Sequence, residues 1–222
     1  YAVHNSDFRI AVSNKLIELW KKELDYKSKN HVVIPCTASS ISEENTLNEP
    51  FLKTEDAVLV YAGSTSPWQS FPMLVDKLKS WLSQGNGKVL FLSKPHPKID
   101  HLIQNFPNRV LRRFVPENMV HFYLSQCDYG LLIREEMVTN KVASPVKFAE
   151  YLRAGLKVII SDNIGDFSEL VKESKIGVCL NKNEEIVVSQ KIKNEEKAII
   201  KKYFVNNLSL KSQYYNYMRL FK

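Results

Sequence analysis

From residue 57 onward the chain repeats one unit, a short apolar run rich in β-branched residues followed by a longer amphipathic stretch. The runs fall at 58–62, 89–93, 110–115, 129–133, 158–161 and 176–180, and helical spacing marks 67–84, 97–105, 117–126, 145–154 and 166–173. Near-continuous apolar runs suit strands buried on both faces, and consecutive parallel strands need a helical crossover between them. The repeat predicts an α/β fold, a doubly wound, Rossmann-like parallel sheet with helices on both faces. Such folds bind ligands beyond the carboxyl ends of their strands, so the residues that follow each run are the candidates for function.

The most pointed of these is Ser144-Pro145-Val146-Lys147-Phe148-Ala149-Glu150-Tyr151-Leu152, followed by Gly155. Ser144 reads as an N-cap and Pro145 as the first helical residue, with Phe148, Tyr151 and Leu152 facing inward. Lys147 then lies in the first turn, where the helix dipole is positive and a capping box would place an acid. A cation set against its own helix makes sense beside a bound anion, because free amides at a helix start bind phosphate. Glu150, one turn on, can accept hydrogen bonds from hydroxyls. Together they point to a nucleotide diphosphate attached to a sugar. The plainer alternative is a surface Lys147–Glu150 pair, worth a few tenths of a kcal/mol.

Two other strand ends carry weaker signals. After the first run come Gly63 and Ser64, where a glycine permits close approach of backbone to phosphate; a simple turn explains it as well. After the 129–133 run, a polar loop holds Arg134, Asn140 and Lys141, and it is either a ligand loop or a tolerated surface loop. His96, His101 and His121 have neither metal spacing nor a partnered nucleophile and read as surface or interface residues. Ser144-x-x-Lys147 and Ser161-Asp162-Asn163 also match penicillin-binding-protein motifs, but no K-T-G follows and the second motif comes too soon.

Composition narrows the class. No apolar run approaches the roughly 20 residues of a membrane span. Cys36, Cys127 and Cys179 are too few and too scattered for a disulfide framework or a zinc site, which fits a reducing cytoplasm. The net charge of +7 owes much to Lys191, Lys193, Lys197, Lys201 and Lys202, interleaved with Glu184, Glu185, Glu195 and Glu196; this pattern reads as a solvated helix face. A peripheral contact with an anionic membrane at the inner face of the cell membrane is the alternative. Nucleic acid is not expected, since no zinc-finger or RNA-binding signature is present.

Residues 1–56 read as an inter-domain segment and linker, with a strand at 8–13, a helix at 14–24, a strand at 31–35 and a polar linker at 37–55. Residues 57–205 form the nucleotide-sugar domain. Residues 206–222 end in Tyr214, Tyr215, Tyr217, Met218, Leu220 and Phe221, an apolar C-terminal helix expected to dock on the missing N-terminal domain. The chain starts at Tyr1 without a basic-then-apolar leader, so a fragment that lacks an N-terminal acceptor domain is expected.

The order of Gly63-Ser64, Phe114-Val115-Pro116, Cys127-Asp128-Tyr129-Gly130-Leu131-Leu132 and Ala143-Ser144-Pro145-Val146-Lys147-Phe148-Ala149-Glu150-Tyr151-Leu152 resembles the C-terminal, donor-binding half of GT-B glycosyltransferases. It is most similar to family-four retaining enzymes of bacterial polysaccharide biosynthesis, such as lipopolysaccharide and capsule. The resemblance implies that Glu150 holds the ribose hydroxyls, that Gly63, Ser64, Ser144 and Lys147 receive the diphosphate, and that Phe114 and Val115 meet the base. Arg134 and Asn140 complete the expected donor site. It further implies a metal-independent transferase, without a D-x-D signature, that uses a UDP-sugar in preference to a GDP-sugar and a glycan or lipid-linked acceptor. Two departures stand out: Val142 occupies the position of the family's first glutamate, with Asn140 or a backbone group as its replacement, and Gln69 stands near a usual phosphate-binding lysine. A GT-B-like epimerase or phosphorylase and a non-catalytic nucleotide-sugar or polyanion binder are the competing readings.

Overall fold

A computed structural model of the chain describes residues 2–38 and 49–221. A short helix α1 (Ala2–Asn5) precedes a small parallel unit of β1 (Arg9–Ala11), α2 (Asn14–Leu24) and β2 (His31–Val33). The main body runs β3 (Val58–Ala62), α3 (Phe71–Gln84), β4 (Lys88–Leu92), α4 (Pro97–Asn105), β5 (Val110–Arg113), α5 (Glu117–Ser125), β6 (Tyr129–Leu132), α6 (Val138–Lys141), α7 (Val146–Ala154), β7 (Lys157–Ser161), α8 (Phe167–Glu173), β8 (Gly177–Leu180) and α9 (Asn194–Asn207). Helix α10 (Tyr214–Met218) follows and packs beside β2.

The six strands of the main sheet are all parallel, in the order β5-β4-β3-β6-β7-β8. The chain builds outward from β3 to β5, returns to lay β6 against β3, and builds outward the other way. Its strand order therefore reverses between β3 and β6, and ligands in such folds bind beyond the carboxyl ends of the strands at that reversal.

Each sheet face has its own core. Val58, Val60 and Ala62 point to the layer of α5, α7 and α9, while Leu59 and Tyr61 point to that of α3 and α4. The α7 layer fits tightly because β6 contributes Gly130, whose missing side chain leaves room for the fully buried Tyr151 ring.

Several expectations are corrected. The 67–84 helix divides into a 3-10 turn (Pro67–Gln69) and α3, because Ser70 takes a left-handed conformation (φ 48°). Helix α7 begins at Val146, with Pro145 as its extended N-cap residue and no side-chain cap. The 134–144 loop contains α6. Of the expected 37–55 linker, residues 39–48 lie outside the described residues, but Glu49 is buried against Arg113 (Oε2 to Nη2 3.2 Å) and is no free linker residue. The lysine-rich stretch is not one solvated helix face. Lys191 and Lys193 precede α9, and Lys197 turns inward, donating to the Cys127 carbonyl (2.7 Å) and lying 3.9 Å from the buried Asp128 carboxylate. Lys201 and Lys202 remain exposed on α9.

Candidate functional site

Gly63 follows β3, and its N–H donates to the Leu92 carbonyl (3.0 Å) across the sheet. A side chain on Gly63 would overlap Lys147 Cε and stand 2.9 Å from Lys147 Nζ, so the glycine is what allows the lysine stem to lie against this loop. The buried Tyr61 hydroxyl donates to the Ser64 carbonyl (2.5 Å) and fixes the loop from beneath. Burial pushes the Tyr61 phenol up to about 12, against the pull of the Arg134 charge, so it remains a donor at neutral pH. Ser64 is exposed, and its hydroxyl meets that of Ser66 at 2.9 Å.

On the β6 side of the strand reversal, the segment after β6 is bonded to both neighbours. Arg134 N–H donates to Ser161 Oγ (2.9 Å), and Glu135 N–H donates to Ser70 Oγ (2.8 Å). The Arg134 side chain is only 8% exposed. Its Nη1 is 3.4 Å from Asn140 Oδ1, and its Nε has no hydrogen-bond partner. Burial lowers its pKa, opposed by the phenols of Tyr61 and Tyr151, which are protonated and uncharged at neutral pH. A buried guanidinium without a carboxylate is costly and calls for an anion.

Helix α7 brings the second cation. Burial lowers the pKa of Lys147; Glu150 opposes that effect and Arg134 reinforces it. The first amides of the helix have no intrahelical acceptor and point the same way. Gly63, Arg134, Lys147 and Glu150 thus come together at the strand reversal, and Glu150 faces Arg153 as well as Lys147, so the cations outnumber the carboxylate. The neighbouring cavity lined by Lys15, Lys141, Asp162 and Glu169 is different: Lys15 pairs with Glu169, Lys172 with Asp162 and Lys141 with Glu136, which leaves no comparable excess.

Other expected residues fall elsewhere. Ser144 is no helix cap; its Oγ accepts the Cys36 N–H (2.9 Å) and anchors the approach to α7. Asn140 is fully buried, with its amide donating to the Glu135 carbonyl (2.9 Å) and its oxygen facing Arg134. It supports Arg134, and its side-chain amide is committed inside the protein. Phe114, 67% exposed, and the half-buried Val115 follow β5, two strands from Gly63 on the same edge. Tyr61, Ser70, Tyr151 and Ser161 shape the site without being among its expected residues. The tyrosines did leave a signal, since a hydroxyl inside an apolar run needs a buried partner.

No protein-family model matches the sequence, and no curated protein matches it. Solved structures do match. A glycosyltransferase from Rickettsia africae aligns over 96% of this chain and 62% of its own, with a TM-score of 0.69 at 14% identity. TarM aligns over 100% and 44%, with a TM-score of 0.68 at 11% identity. HepE from Anabaena, in complex with UDP and glucose, aligns over 100% and 65%, with a TM-score of 0.65 at 12% identity. The fold is that of GT-B glycosyltransferase domains, and the chain spans less than two thirds of the length of each of these structures.

Proposed function

We propose that this chain is the donor-binding half of a family-four-like retaining glycosyltransferase, metal-independent, that takes a UDP-sugar in preference to a GDP-sugar. Its product belongs to surface polysaccharide synthesis, with a glycan or lipid-linked acceptor held by an N-terminal domain. The observation that carries this reading is the uncompensated buried charge of Arg134 beside Lys147, at the strand reversal of a GT-B fold. The diphosphate lies between the Gly63–Ser64 loop and the start of α7. When the anomeric C–O bond breaks, its electron pair leaves with the β-phosphate oxygen, and Lys147, Arg134 and the free amides receive that charge. Glu150 accepts hydrogen bonds from the ribose hydroxyls, each charge-assisted bond contributing about 1.5–3 kcal/mol.

One observation favours a second reading, nucleotide-sugar binding without transfer. Val142 has no carboxylate, and the Asn140 amide is committed inside the protein. Thermal shift and calorimetry with UDP, GDP and UDP-sugars test both readings. UDP raises the melting temperature, and Lys147→Ala or Glu150→Ala abolishes the rise; slow release of UDP from a UDP-sugar separates catalysis from binding. Failure of both nucleotides to bind, with heparin binding in their place, overturns the assignment.

A further inference from the structure

Between β6 and the first turn of α8 the chain carries six carboxylates, and five of them are engaged. Glu136 pairs with Lys141 (2.7 Å), Asp162 with Lys172 (2.8 Å) and Glu169 with Lys15 (3.3 Å), while Glu150 faces Lys147 and Arg153. Asp166 accepts the first two N–H groups of α2, at 2.7 and 3.1 Å. The sixth, Glu135, is exposed, and its carboxylate has no hydrogen bond or ion pair among the described residues. Nor does it serve as the counter-ion of the neighbouring Arg134, on which the Tyr61 and Tyr151 phenols act instead.

The backbone of Glu135 is nevertheless held from two sides. Its N–H donates to Ser70 Oγ (2.8 Å) and its carbonyl accepts from the Asn140 amide (2.9 Å), and both partners are buried. Ser70 stands on the β3 side of the strand reversal and Asn140 on the β6 side. Ser70 makes its bond from left-handed backbone (φ 48°), a conformation that a residue with a Cβ adopts at a cost. Two buried polar side chains, one of them strained, thus fix a single loop residue whose own carboxylate has no partner. A carboxylate that served only solubility would need no such hold, and strain of this kind is kept where a ligand is gripped.

We propose that Glu135 selects the donor sugar, accepting hydrogen bonds from the hydroxyls of a neutral hexose and turning away a sugar that carries its own carboxylate. This assignment rests on the donor reading above. With the diphosphate matched to Arg134 and Lys147, the sugar is the part of the donor left to meet the residue that follows Arg134. A fixed carboxylate makes short, strong bonds to hydroxyls, because one partner is ionised and no rotamer search precedes the contact. A uronic-acid donor would set a second carboxylate against the first, while the two cations already answer to the diphosphate. Selection by an unpaired like charge costs the accepted substrate nothing and is felt only by the rejected one.

The test is calorimetry of the 222-residue chain with UDP, UDP-glucose and UDP-glucuronic acid, or with GDP, GDP-mannose and GDP-mannuronic acid if GDP is the tighter nucleotide. The quantity read is the affinity for the hexose donor divided by that for the uronic-acid donor, a ratio in which the shared nucleotide contacts cancel. It is expected to be about tenfold in the parent, to fall to about twofold in Glu135→Gln, and to favour the uronic acid in Glu135→Lys. Both substitutions alter an exposed side chain, and the melting temperature of each ligand-free variant checks that the fold is kept. A parent that holds the two donors equally, or a ratio unchanged in both variants, overturns the proposal while nucleotide binding leaves the donor reading standing. If neither UDP nor GDP binds, the donor reading falls, and the assignment of Glu135 falls with it.

Discussion

The two strand ends that meet at the strand reversal are made of opposite materials. After β3 come Gly63, Ser64, Thr65 and Ser66, a neutral stretch that offers backbone and hydroxyls, and even the buried side chain near the next helix is the uncharged Gln69. After β6 and at the start of α7 come Arg134 and Lys147, both desolvated and both raised in energy by that desolvation. One side lets a ligand come close, and the other supplies charge to hold it. Because the two tasks sit on separate segments, a substitution on either side should disturb one task and spare the other.

Tyr151 joins the two sides. Its hydroxyl accepts the Ala62 N–H at the end of β3 (3.1 Å) and reaches the Leu131 carbonyl in β6 (3.4 Å), while its ring occupies the space over Gly130. The largest effect is therefore expected from Gly130→Ala, whose new methyl group would overlap the fully buried Tyr151 ring. It should lower unfolding stability by about 3 kcal/mol, measured by denaturant titration, and abolish the UDP response with it. A stable Gly130→Ala protein that still binds UDP would show that Tyr151 does not hold the sides in register.

Next in size is Arg134→Met. If the guanidinium is kept for an anion, the variant should lose about thirtyfold in UDP affinity, the equivalent of one charge-assisted contact. Its ligand-free form should be as stable as the parent or about 1 kcal/mol more stable, because an uncompensated buried cation has been replaced by an apolar chain of similar volume. Calorimetry and chemical denaturation read the two quantities separately. Loss of stability without loss of affinity would make Arg134 a structural residue and erase the contrast between the two sides.

Much of this was legible in the sequence, and what was not shares a cause. The strands and helices were readable because burial on both faces leaves apolar runs that no surface element shows. Lys147 was readable because it conflicts with the polarity of its own helix, a conflict that needs no distant partner to see. Ser144 was misread because its hydroxyl is taken by Cys36, a partner 108 residues away. Lys197 reads as solvated in the sequence because Asp128, the acid that draws it inward, is also remote in sequence. The burial of Arg134 depends on Asn140 folding back over it through α6, and a polar composition alone gives no hint of that. The start of α7 was placed one residue early, since a fixed proline φ fits both the N-cap and the first helical position, and only the extended ψ of 124° at Pro145 decides.

On the neutral side, Gly63→Ala should act through geometry alone. The added methyl group displaces the Lys147 stem from the loop, and the positive φ of 157° strains any side chain at this position, so UDP affinity should fall about tenfold and stability by about 1–2 kcal/mol. Combining Gly63→Ala with Lys147→Ala sharpens the comparison. If the glycine matters only by admitting the lysine, the double variant should bind UDP no more weakly than Lys147→Ala alone, a non-additivity that a double-mutant cycle measures directly.

The smallest effect separates the sides by pH. Burial lowers the pKa of Lys147 in the free protein, whereas a bound diphosphate would favour the ammonium and raise it again. Binding then takes up a proton wherever the pH lies above the lowered free value and below the bound one. UDP affinity should accordingly fall as pH rises through the range beneath the ordinary lysine value of 10.5, by about threefold per half unit of pH at most, with proton uptake visible in calorimetry as a buffer-dependent heat. Lys147→Arg should flatten the profile, because a guanidinium keeps its proton throughout that range. Gly63→Ala should leave the slope in place while lowering the whole curve. A slope that survives Lys147→Arg would assign the titration to another group and leave the charged side of the strand reversal without its second cation.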